Sequence, residues 1–336
     1  MRYFLFSFLI LLIGLSTAYY WAGLAGLFLA GILSVMEVSL SFDNAVVNAS
    51  VLKKMTPRWQ RRFLTWGMVI AVFGARFLLP ILIVAVITGH SLQDVVIMAF
   101  RESDEYARHI TSAHIQISAF GGMYLLLVFF SFLFESERTL HWLGWVERRL
   151  SRLGKLESIE VITALTALLT AQHYLPHEER LDALIAGLAG VILFVLVKSL
   201  SALFETPKAA EHTAHKAGFM SFLYLEILDL SFSFDGVIGA FALSKDVVII
   251  MLGLTIGAMF VRSLTVFLVH KRTLDEYLFL EHGAHYAIGA LALLMLASMV
   301  VEVSEVITGL TGMGFILLSL LSSVRHKRRH LRRKTA

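Results

Sequence analysis

Residues 37–48 read E-V-S-L-S-F-D-N-A-V-V-N, and residues 226–236 read E-I-L-D-L-S-F-S-F-D-G. When the Ser-Phe-Asp-Asn of the first stretch is placed over the Ser-Phe-Asp-Gly of the second, Glu37 aligns with Asp229. Both stretches lie inside apolar segments, where each carboxylate costs roughly 2.5 kcal/mol or more. Acids in such places mark a functional site by default. We therefore expect the rest of the chain to hold these two acidic motifs face to face.

The composition is that of a membrane protein with several spans. Of the 336 residues, 57% are hydrophobic and 16% are charged, so the chain is too apolar for a soluble protein. It is also long enough for many transmembrane helices. The sequence contains no cysteine, which excludes disulfides and thiolate metal sites. The remaining ligands are carboxylate, amide, hydroxyl, carbonyl and imidazole groups, and this set favours hard or borderline cations.

The apolar segments predict an all-α polytopic protein with about ten transmembrane helices. Their approximate ranges are 3–20, 22–52, 66–88, 114–134, 158–172, 183–204, 218–243, 247–269, 283–301 and 305–324. The first could instead be a cleaved signal peptide, because it follows Arg2 and ends in Ser-Thr-Ala. The segment 158–172 is short for a span and could be an interfacial or re-entrant helix.

This reading divides the chain into four parts: a transmembrane or signal-like segment at 1–20, a first half at 21–172, a second half at 173–324 and a basic tail at 325–336. With ten spans and a cytoplasmic N-terminus, most basic loop residues fall on the cytoplasmic side, as the positive-inside rule requires. The tail is then cytoplasmic, and its expected contact is anionic lipid head groups, not nucleic acid. We expect an integral protein of a bacterial cytoplasmic membrane with both termini in the cytoplasm.

Each acidic motif is followed by a further stretch of sequence that is similar in the two halves of the chain. Residues 67–76 read G-M-V-I-A-V-F-G-A-R, and residues 253–262 read G-L-T-I-G-A-M-F-V-R, with the same spacing from glycine to arginine. In the ten-span topology the matched spans of the two halves run in opposite directions. This is an inverted-topology repeat, whose usual binding site lies near the bilayer midplane between the repeats. The glycines at 253 and 257 would let a neighbouring helix pack closely.

The motif acids could share one site only where the helices are interrupted. Glu226 and Asp229 lie on one helical face, whereas Asp235 lies on the opposite side of a straight helix. Glu37 and Asp43 diverge similarly. Unwinding at the two Ser-Phe-Asp sequences would bring the acids together and free backbone carbonyls as cation ligands. We therefore expect broken helices around a cation site; the alternative is that the acids only pair with buried bases and fix helix packing.

The charges of the apolar segments do not balance. The acids are Glu37, Asp43, Glu226, Asp229 and Asp235, and the bases are Arg76, Arg262 and Lys198. Two negative charges remain if all of these groups are ionised. A divalent cation would neutralise them, and protons could replace the cation when the site empties. Arg76 and Arg262 hold matching places in the repeats, and we expect both to pair with motif acids and keep them charged.

The paired motifs, each followed by a glycine-to-arginine helix, resemble the signature of the TerC integral membrane proteins, in the branch catalogued as a domain of unknown function. The resemblance covers about residues 22–324. Members are associated with tellurium resistance by name, and several are implicated in manganese(II) efflux. The resemblance implies first-half metal ligands at Glu37, Asp43 and Asn44 and second-half ligands at Glu226, Asp229 and Asp235. Residues 236–239, G-V-I-G, replace a more usual Ser-Ile-Pro-Ala, and the missing proline bears on the second helix break.

The main hypothesis about function is a transporter that exports a divalent cation, Mn²⁺, by alternating access in exchange for protons. Calcium and magnesium fit the same oxygen ligands. Export, as opposed to import, rests on the resemblance alone. No organic cofactor is expected, and the oligomeric state stays open.

Two rival hypotheses come from other classes of protein. Asp43 and Asp235 hold equivalent repeat positions, so they could form the shared-proton dyad of an intramembrane aspartyl protease. Against an enzyme, the sequence has neither the Gly-x-Gly-Asp pattern of that class nor a His-Glu-x-x-His, a nucleotide-binding glycine loop or a serine elbow. The other rival is a membrane partner that helps exported proteins to insert or to acquire metal.

Overall fold

The computed structural model describes residues 2–67, 69–136, 138, 140–156, 158–204, 212–244, 246–271, 277–301 and 303–335. Every regular element in this part of the chain is helical. The α-helices are α1 Leu5–Leu40, α2 Phe42–Lys54, α3 Pro57–Arg62, α4 Leu79–Thr88, α5 Leu92–Arg101, α6 Ser103–Ser112, α7 His114–Leu133, α8 Trp145–Leu153, α9 Ile159–His173, α10 His177–Phe204, α11 His212–Leu243, α12 Val247–His270, α13 Leu280–Ser298 and α14 Glu305–Thr335. Two π-helical stretches, Phe63–Gly67 and Ile70–Leu78, lie between α3 and α4.

Seven helical stretches among the described residues are long and apolar enough to cross a membrane. They are Leu5–Leu40, Pro57–Leu82, His114–Leu133, His177–Ser199, Val247–His270, Leu280–Ser298 and Ile307–Arg328. Large apolar side chains on them are exposed, among them Leu12, Leu24 and Phe73. Exposed apolar surface of this extent fits contact with lipid tails. The protein is therefore an all-helical, polytopic integral membrane protein.

The long helix α1 is kinked near its middle. Ala22 (φ −133°, ψ 22°) and Gly23 (φ 64°, ψ −151°) leave the helical region, so the residues before and after them form two arms. The positive φ at Gly23 is one that glycine adopts without a steric penalty. The boundary predicted between the first two apolar segments, at residue 21, coincides with this kink.

The first arm of α1 packs antiparallel to α12. Ser7 Oγ donates a hydrogen bond to the carbonyl oxygen of Met259 (2.6 Å). Farther along the arm, Gly14 lies against Ile256. Residue numbers therefore rise along α1 as they fall along α12. A Cβ atom at Gly14 would clash with the isoleucine. The glycine therefore sets how closely the two helices approach.

The second arm of α1 packs parallel to α12. Gly253 lies against Leu33, and Gly257 lies against Glu37. A Cβ atom at either glycine would clash with these neighbours. The close packing predicted for these glycines is therefore confirmed. It brings the first acidic motif directly onto α12.

The two acidic motifs differ in backbone shape. Ser41 (φ −99°, ψ 14°) separates α1 from α2, and its N–H still donates to the carbonyl oxygen of Glu37 (2.9 Å). The predicted break at the first motif is therefore a single-residue turn. The helix α11 runs through the second motif, residues 226–236, without interruption. The predicted break there is wrong, because without a proline every backbone N–H can stay in the helical pattern.

The helices α7 and α13 form an antiparallel pair at the centre of the largest buried cluster. Gly121 near the start of α7 lies against Met295 near the end of α13. Gly289 in turn lies against Phe129. These glycines allow close approach, because a Cβ atom at either one would clash with the facing side chain.

The helix α10 runs parallel to α7. Gln116 Nε2 donates to Asp182 Oδ2 (3.2 Å) near the starts of both helices, and Tyr124 packs edge-on against Phe194 farther along (ring centroids 5.9 Å apart). Because two parallel helices begin at the same side, the chain between them must return to that side.

The helix α9 is the element that lies between them in the chain, and it runs opposite to α10. Leu168 of α9 lies against Gly187, whereas Glu160, earlier in α9, pairs with Lys198, later in α10. The order of contacts is therefore reversed along the two helices. Segment 158–172 thus forms a helix antiparallel to both α7 and α10.

Candidate functional site

The two acidic motifs contact each other through α2 and α11. Asn44 Nδ2 donates a hydrogen bond to Asp229 Oδ1 (2.5 Å). Gly236 lies against Glu37, where a Cβ atom would come 2.9 Å from Oε2 of the acid. All four residues are buried. The face-to-face arrangement predicted for the motifs is therefore confirmed.

Glu37 forms a buried ion pair with Arg76. Arg76 Nη2 lies 2.5 Å from Glu37 Oε1, and Ser41 Oγ donates to the same oxygen (2.9 Å). Arg76 Nη1 donates to the carbonyl oxygen of Ala71 (2.7 Å). The glutamate is 1% exposed and the arginine 7%, so loss of either partner would leave a buried charge uncompensated. The predicted pairing of Arg76 with a motif acid is confirmed.

Arg262 behaves differently from Arg76, its counterpart in the repeat. Its Nε and Nη2 both donate to the carbonyl oxygen of Leu64, at 3.0 and 2.8 Å. Leu64 belongs to the first π-helical stretch. Among the described side chains Arg262 has no ion pair, so the predicted pairing with a motif acid is not found there. A backbone carbonyl takes the place of the carboxylate.

Lys198 lies away from both motifs. Its ammonium group pairs with Glu160 of α9 and lies 3.3 Å from Ser131 Oγ of α7. About half of the side chain is exposed (49%). The prediction of a buried base that serves the motif acids is therefore wrong for this lysine. Its long stem lets the charged end reach a more polar position, as lysines near helix ends commonly do.

Glu226 is a buried carboxyl group with no hydrogen-bond partner among the described residues. Neither of its oxygens is accessible, and the residue is 5% exposed. Its Oε1 lies against Gly67, where a Cβ atom would clash with it. Glycine thus provides the space that the carboxyl group occupies. A polar group left in this state is costly unless another ligand satisfies it.

A cavity of about 30 Å³ lies beside Asp229. Gly67 forms part of its wall, and its polar lining comes from Asn48, Arg76, Asp229, Arg262 and Thr265. The volume suffices for a water molecule or an ion of similar size. The cavity therefore places the arginines of both repeats beside one acid of the second motif.

Two asparagines present unsatisfied oxygens in the same region. Asn44 Oδ1 and Asn48 Oδ1 are buried and have no hydrogen-bond partner in the described part of the chain. Asn48 also interacts with Asp229 through its side chain. Sequence analysis missed Asn48, although it follows Asn44 by one helical turn and so shares its face. That spacing is the signal that could have found it.

The remaining motif aspartates are placed less centrally or not described. Asp43 Oδ1 accepts the backbone N–H of Asn44 (2.9 Å), and its Oδ2 faces Gly312 of α14, where a Cβ atom would lie 3.4 Å away. Asp43 has no ion pair among the described residues. The side chain of Asp235 lies outside the described part of the structure. The structure therefore brings Glu37, Asn44 and Asp229 together and turns Asp43 towards α14.

The site consists of oxygen atoms from acids and amides. Among the described side chains, no three His, Cys, Asp or Glu residues lie close enough together to hold a metal ion. Amide oxygens are also accepted as ligands by hard cations, and the site contributes two of them beside its carboxylates. The arrangement can therefore offer mixed oxygen ligands, with the arginines limiting its negative charge.

The comparisons with known proteins give a family and no function. The family described as protein of unknown function (DUF475) matches residues 42–330, which include residues 42–48 of the first acidic motif and all of the second. Searches of the curated proteins and of the solved structures found no match. Because the matched range covers most of the chain, the protein belongs to DUF475, a family of proteins of unknown function.

Proposed function

We propose that this protein transports a divalent cation, Mn²⁺, out of the cytoplasm by alternating access. The observation that carries the proposal is a set of buried oxygen atoms around Asp229 that have no hydrogen-bond partner among the described residues. They are Asn44 Oδ1, Asn48 Oδ1 and both carboxyl oxygens of Glu226. A buried acceptor without a partner costs about 1–3 kcal/mol. A cation bound among these oxygens would remove that cost.

The ligand chemistry narrows the class of ion. Carboxylate and amide oxygens suit Mn²⁺, Ca²⁺ and Mg²⁺, and no cysteine is available for softer metals. The choice of manganese and the direction of transport rest on the likeness of the paired motifs to TerC proteins. The proposed ligands are the six predicted residues, with Asn48 added. Asp43 would join the others after a movement of the two halves.

An inverted repeat is supported by the contacts between the motifs. In the motif alignment Glu37 matches Asp229, and Asn44 matches Gly236. If the two halves are exchanged, the contact of Glu37 with Gly236 therefore becomes the contact of Asp229 with Asn44, and the reverse also holds. Such a relation is expected of an approximate two-fold axis between the halves. Transporters with this symmetry alternate between two states at a central site.

The helix directions support ten spans. Because α7 and α10 run in the same direction, the chain must cross back between them, and α9 runs in the required direction. The positive-inside distribution depends on this crossing. We therefore retain the topology in which both termini lie in the cytoplasm, in the cytoplasmic membrane of a bacterium.

Proton exchange is the proposed source of energy for export. A carboxyl group buried without a partner is most stable when it carries a proton. Glu226 would accordingly take up a proton when the cation leaves, and release it when the cation returns. Exchange of one Mn²⁺ for two protons, one on Glu226 and one on a second motif acid, would keep the net charge of the site constant.

The proposal is tested by manganese flux into liposomes that contain the purified protein, under a pH gradient. We expect flux by the wild type, loss of flux in Asp229→Asn, and competition by Ca²⁺ or Mg²⁺ if either is also a substrate. Glu160→Gln is the matched control, because it also removes one helix carboxylate but lies outside the site. Flux that survives Asp229→Asn would remove this residue from the proposed path. A folded wild type without flux would favour the assembly-partner hypothesis.

A further inference from the structure

The helix α8 lies beside the end of α7 and the first turns of α13. Gly154, directly after α8, lies against the carbonyl oxygen of Phe134, the residue that follows α7. On its other side α8 contacts the first turns of α13 through Tyr286. The helix therefore sits at the level where one spanning helix ends and another begins. That level is the boundary between lipid and water.

A buried glutamate fixes α8 in this position. Glu147 is 1% exposed and accepts hydrogen bonds from the backbone N–H groups of Trp142 (2.9 Å) and Leu143 (3.1 Å) and from the hydroxyl of Tyr286 (3.0 Å). His282 Nε2 lies 3.8 Å from Glu147 Oε2. With so many partners the glutamate joins α8 firmly to α13. It also turns the one acid of α8 inward.

The outward side of α8 carries a basic arc and an apolar arc side by side. At about 100° per residue, Arg148, Arg152 and Arg149 form an arc centred close to Trp145, and Leu153 and Val146 form the adjoining apolar arc. Trp145 is 60% exposed and Leu153 is 43% exposed. Such a division is typical of helices that lie in the plane of a membrane interface. Tryptophan in particular is enriched at that depth.

We propose that α8 binds anionic phospholipid head groups. Trp145 and Leu153 enter the boundary of the acyl chains, and Arg148, Arg149 and Arg152 contact the phosphates. The Arg149 guanidinium stacks over the Trp145 ring, 4.1 Å from its centre, which directs this charge to the same depth as the indole. Within α8 itself, Trp145–Leu153, Glu147 is the one acid, and it is turned inward, away from these arginines. Charge complementarity therefore selects a negatively charged surface.

The test uses the full-length protein with Trp145 as its one tryptophan, after Trp21, Trp59, Trp66 and Trp142 are replaced by Phe. It is reconstituted in phosphatidylcholine vesicles with rising fractions of brominated phosphatidylglycerol or brominated phosphatidylcholine, which quench indole fluorescence on contact. We expect quenching at a lower fraction of the brominated phosphatidylglycerol. Each arginine contributes roughly a fivefold preference, so the combined Arg148→Gln, Arg149→Gln, Arg152→Gln variant should lose most of it.

The matched control removes the three arginines of α3, by Arg58→Gln, Arg61→Gln and Arg62→Gln, and should keep the preference. Equal quenching by the two brominated lipids, or a preference that survives loss of the α8 arginines, would overturn the proposal. Absence of quenching by either lipid would also overturn it and point to a soluble acidic partner. If the α8 variant does not fold, added salt provides the second test, because screening must weaken the preference of the single-tryptophan protein.

Discussion

Glu37 and Asp229 hold matching positions in the two acidic motifs, and their surroundings differ. Glu37 is bound by the guanidinium of Arg76 and the hydroxyl of Ser41. Asp229 accepts a hydrogen bond from the neutral amide of Asn44 and borders a cavity. Glu37 is therefore held in a direct ion pair, whereas Asp229 faces both arginines across a cavity that has room for a ligand. Positions that are equivalent in a repeat need not have equivalent electrostatics.

The arginines show the same contrast. Arg76 reaches a carboxylate, and Arg262 reaches the carbonyl oxygen of Leu64. Under the proposed mechanism the two halves exchange their environments during each cycle, so the observed asymmetry defines one of two states. Substitutions in the two halves test this contrast.

The largest effect is expected at Arg76. Arg76→Ala leaves Glu37 buried without a base, which should lower the free energy of unfolding by about 3–5 kcal/mol. Arg262→Ala removes hydrogen bonds to a single carbonyl and should cost about 1 kcal/mol. Denaturant titration of the detergent-solubilised proteins compares the two losses. Equal losses would show that the two arginines are energetically equivalent after all.

A double substitution separates pairing from packing at this position. In Glu37→Gln, Arg76→Met the ion pair is replaced by two neutral side chains and only Asp229 loses a neighbouring cation, so part of the stability lost in Arg76→Ala should return. Cation flux should stay absent, because the acid itself is a proposed ligand. A double variant as unstable as Arg76→Ala would mean that the arginine acts through its bulk.

An intermediate effect on the free energy of unfolding is expected at the contacts between the two acidic motifs. Asn44→Ala removes the amide that donates to Asp229 and should lower the free energy of unfolding by about 2 kcal/mol. The matching substitution in the other half, Gly236→Ala, should change it by less than about 1 kcal/mol, because improved helix propensity offsets a small shift of Glu37. The same titrations measure both. Similar values for the two variants would remove the distinction between a polar and a packing contact.

The smallest effect on stability is expected at Glu226. Glu226→Gln removes a carboxyl group that has no partner among the described residues, so the free energy of unfolding should stay the same or rise by about 1 kcal/mol. The pH gradient should no longer drive flux in liposomes, although Mn²⁺ binding persists with reduced affinity. Ser34, which aligns with Glu226, is the control position, and Ser34→Ala should keep gradient-driven flux. A large loss of stability in Glu226→Gln would contradict the unpartnered carboxyl group.

Sequence analysis could predict the parts of the site that depend on pattern. The repeated motifs imply that Glu37 and Asp229 belong to one site, and the repeated glycine-to-arginine spacing singles out Arg76 as a base near them. The kink between the first two segments follows from the change in hydropathy near residue 21. These features arise from spacing and polarity, which the sequence displays directly.

The other features of the site depend on which of several possible groups a side chain contacts, and the sequence alone does not decide between those groups. The environment of Arg262 is decided by a carbonyl in a π-helical stretch, and no residue pattern predicts such a stretch. The continuous α11 shows that Ser-Phe-Asp-Gly permits a break without requiring one, because each residue is also compatible with a helix. The outward reach of Lys198 depends on where α10 meets the membrane boundary, which hydropathy locates only to within several residues.

The π-helical stretch Ile70–Leu78 makes the position of Arg76 depend on the number of residues as well as on their kinds. A π-helix has one more residue per hydrogen-bonded loop than an α-helix. If the stretch became α-helical with all nine residues kept, one end would turn against the other and the guanidinium would point away from Glu37. Loss of one residue at the same time would cancel much of that turn, because a π loop holds one residue more than an α loop. Relatives that lack one residue here can therefore form an ordinary α-helix and still keep the ion pair.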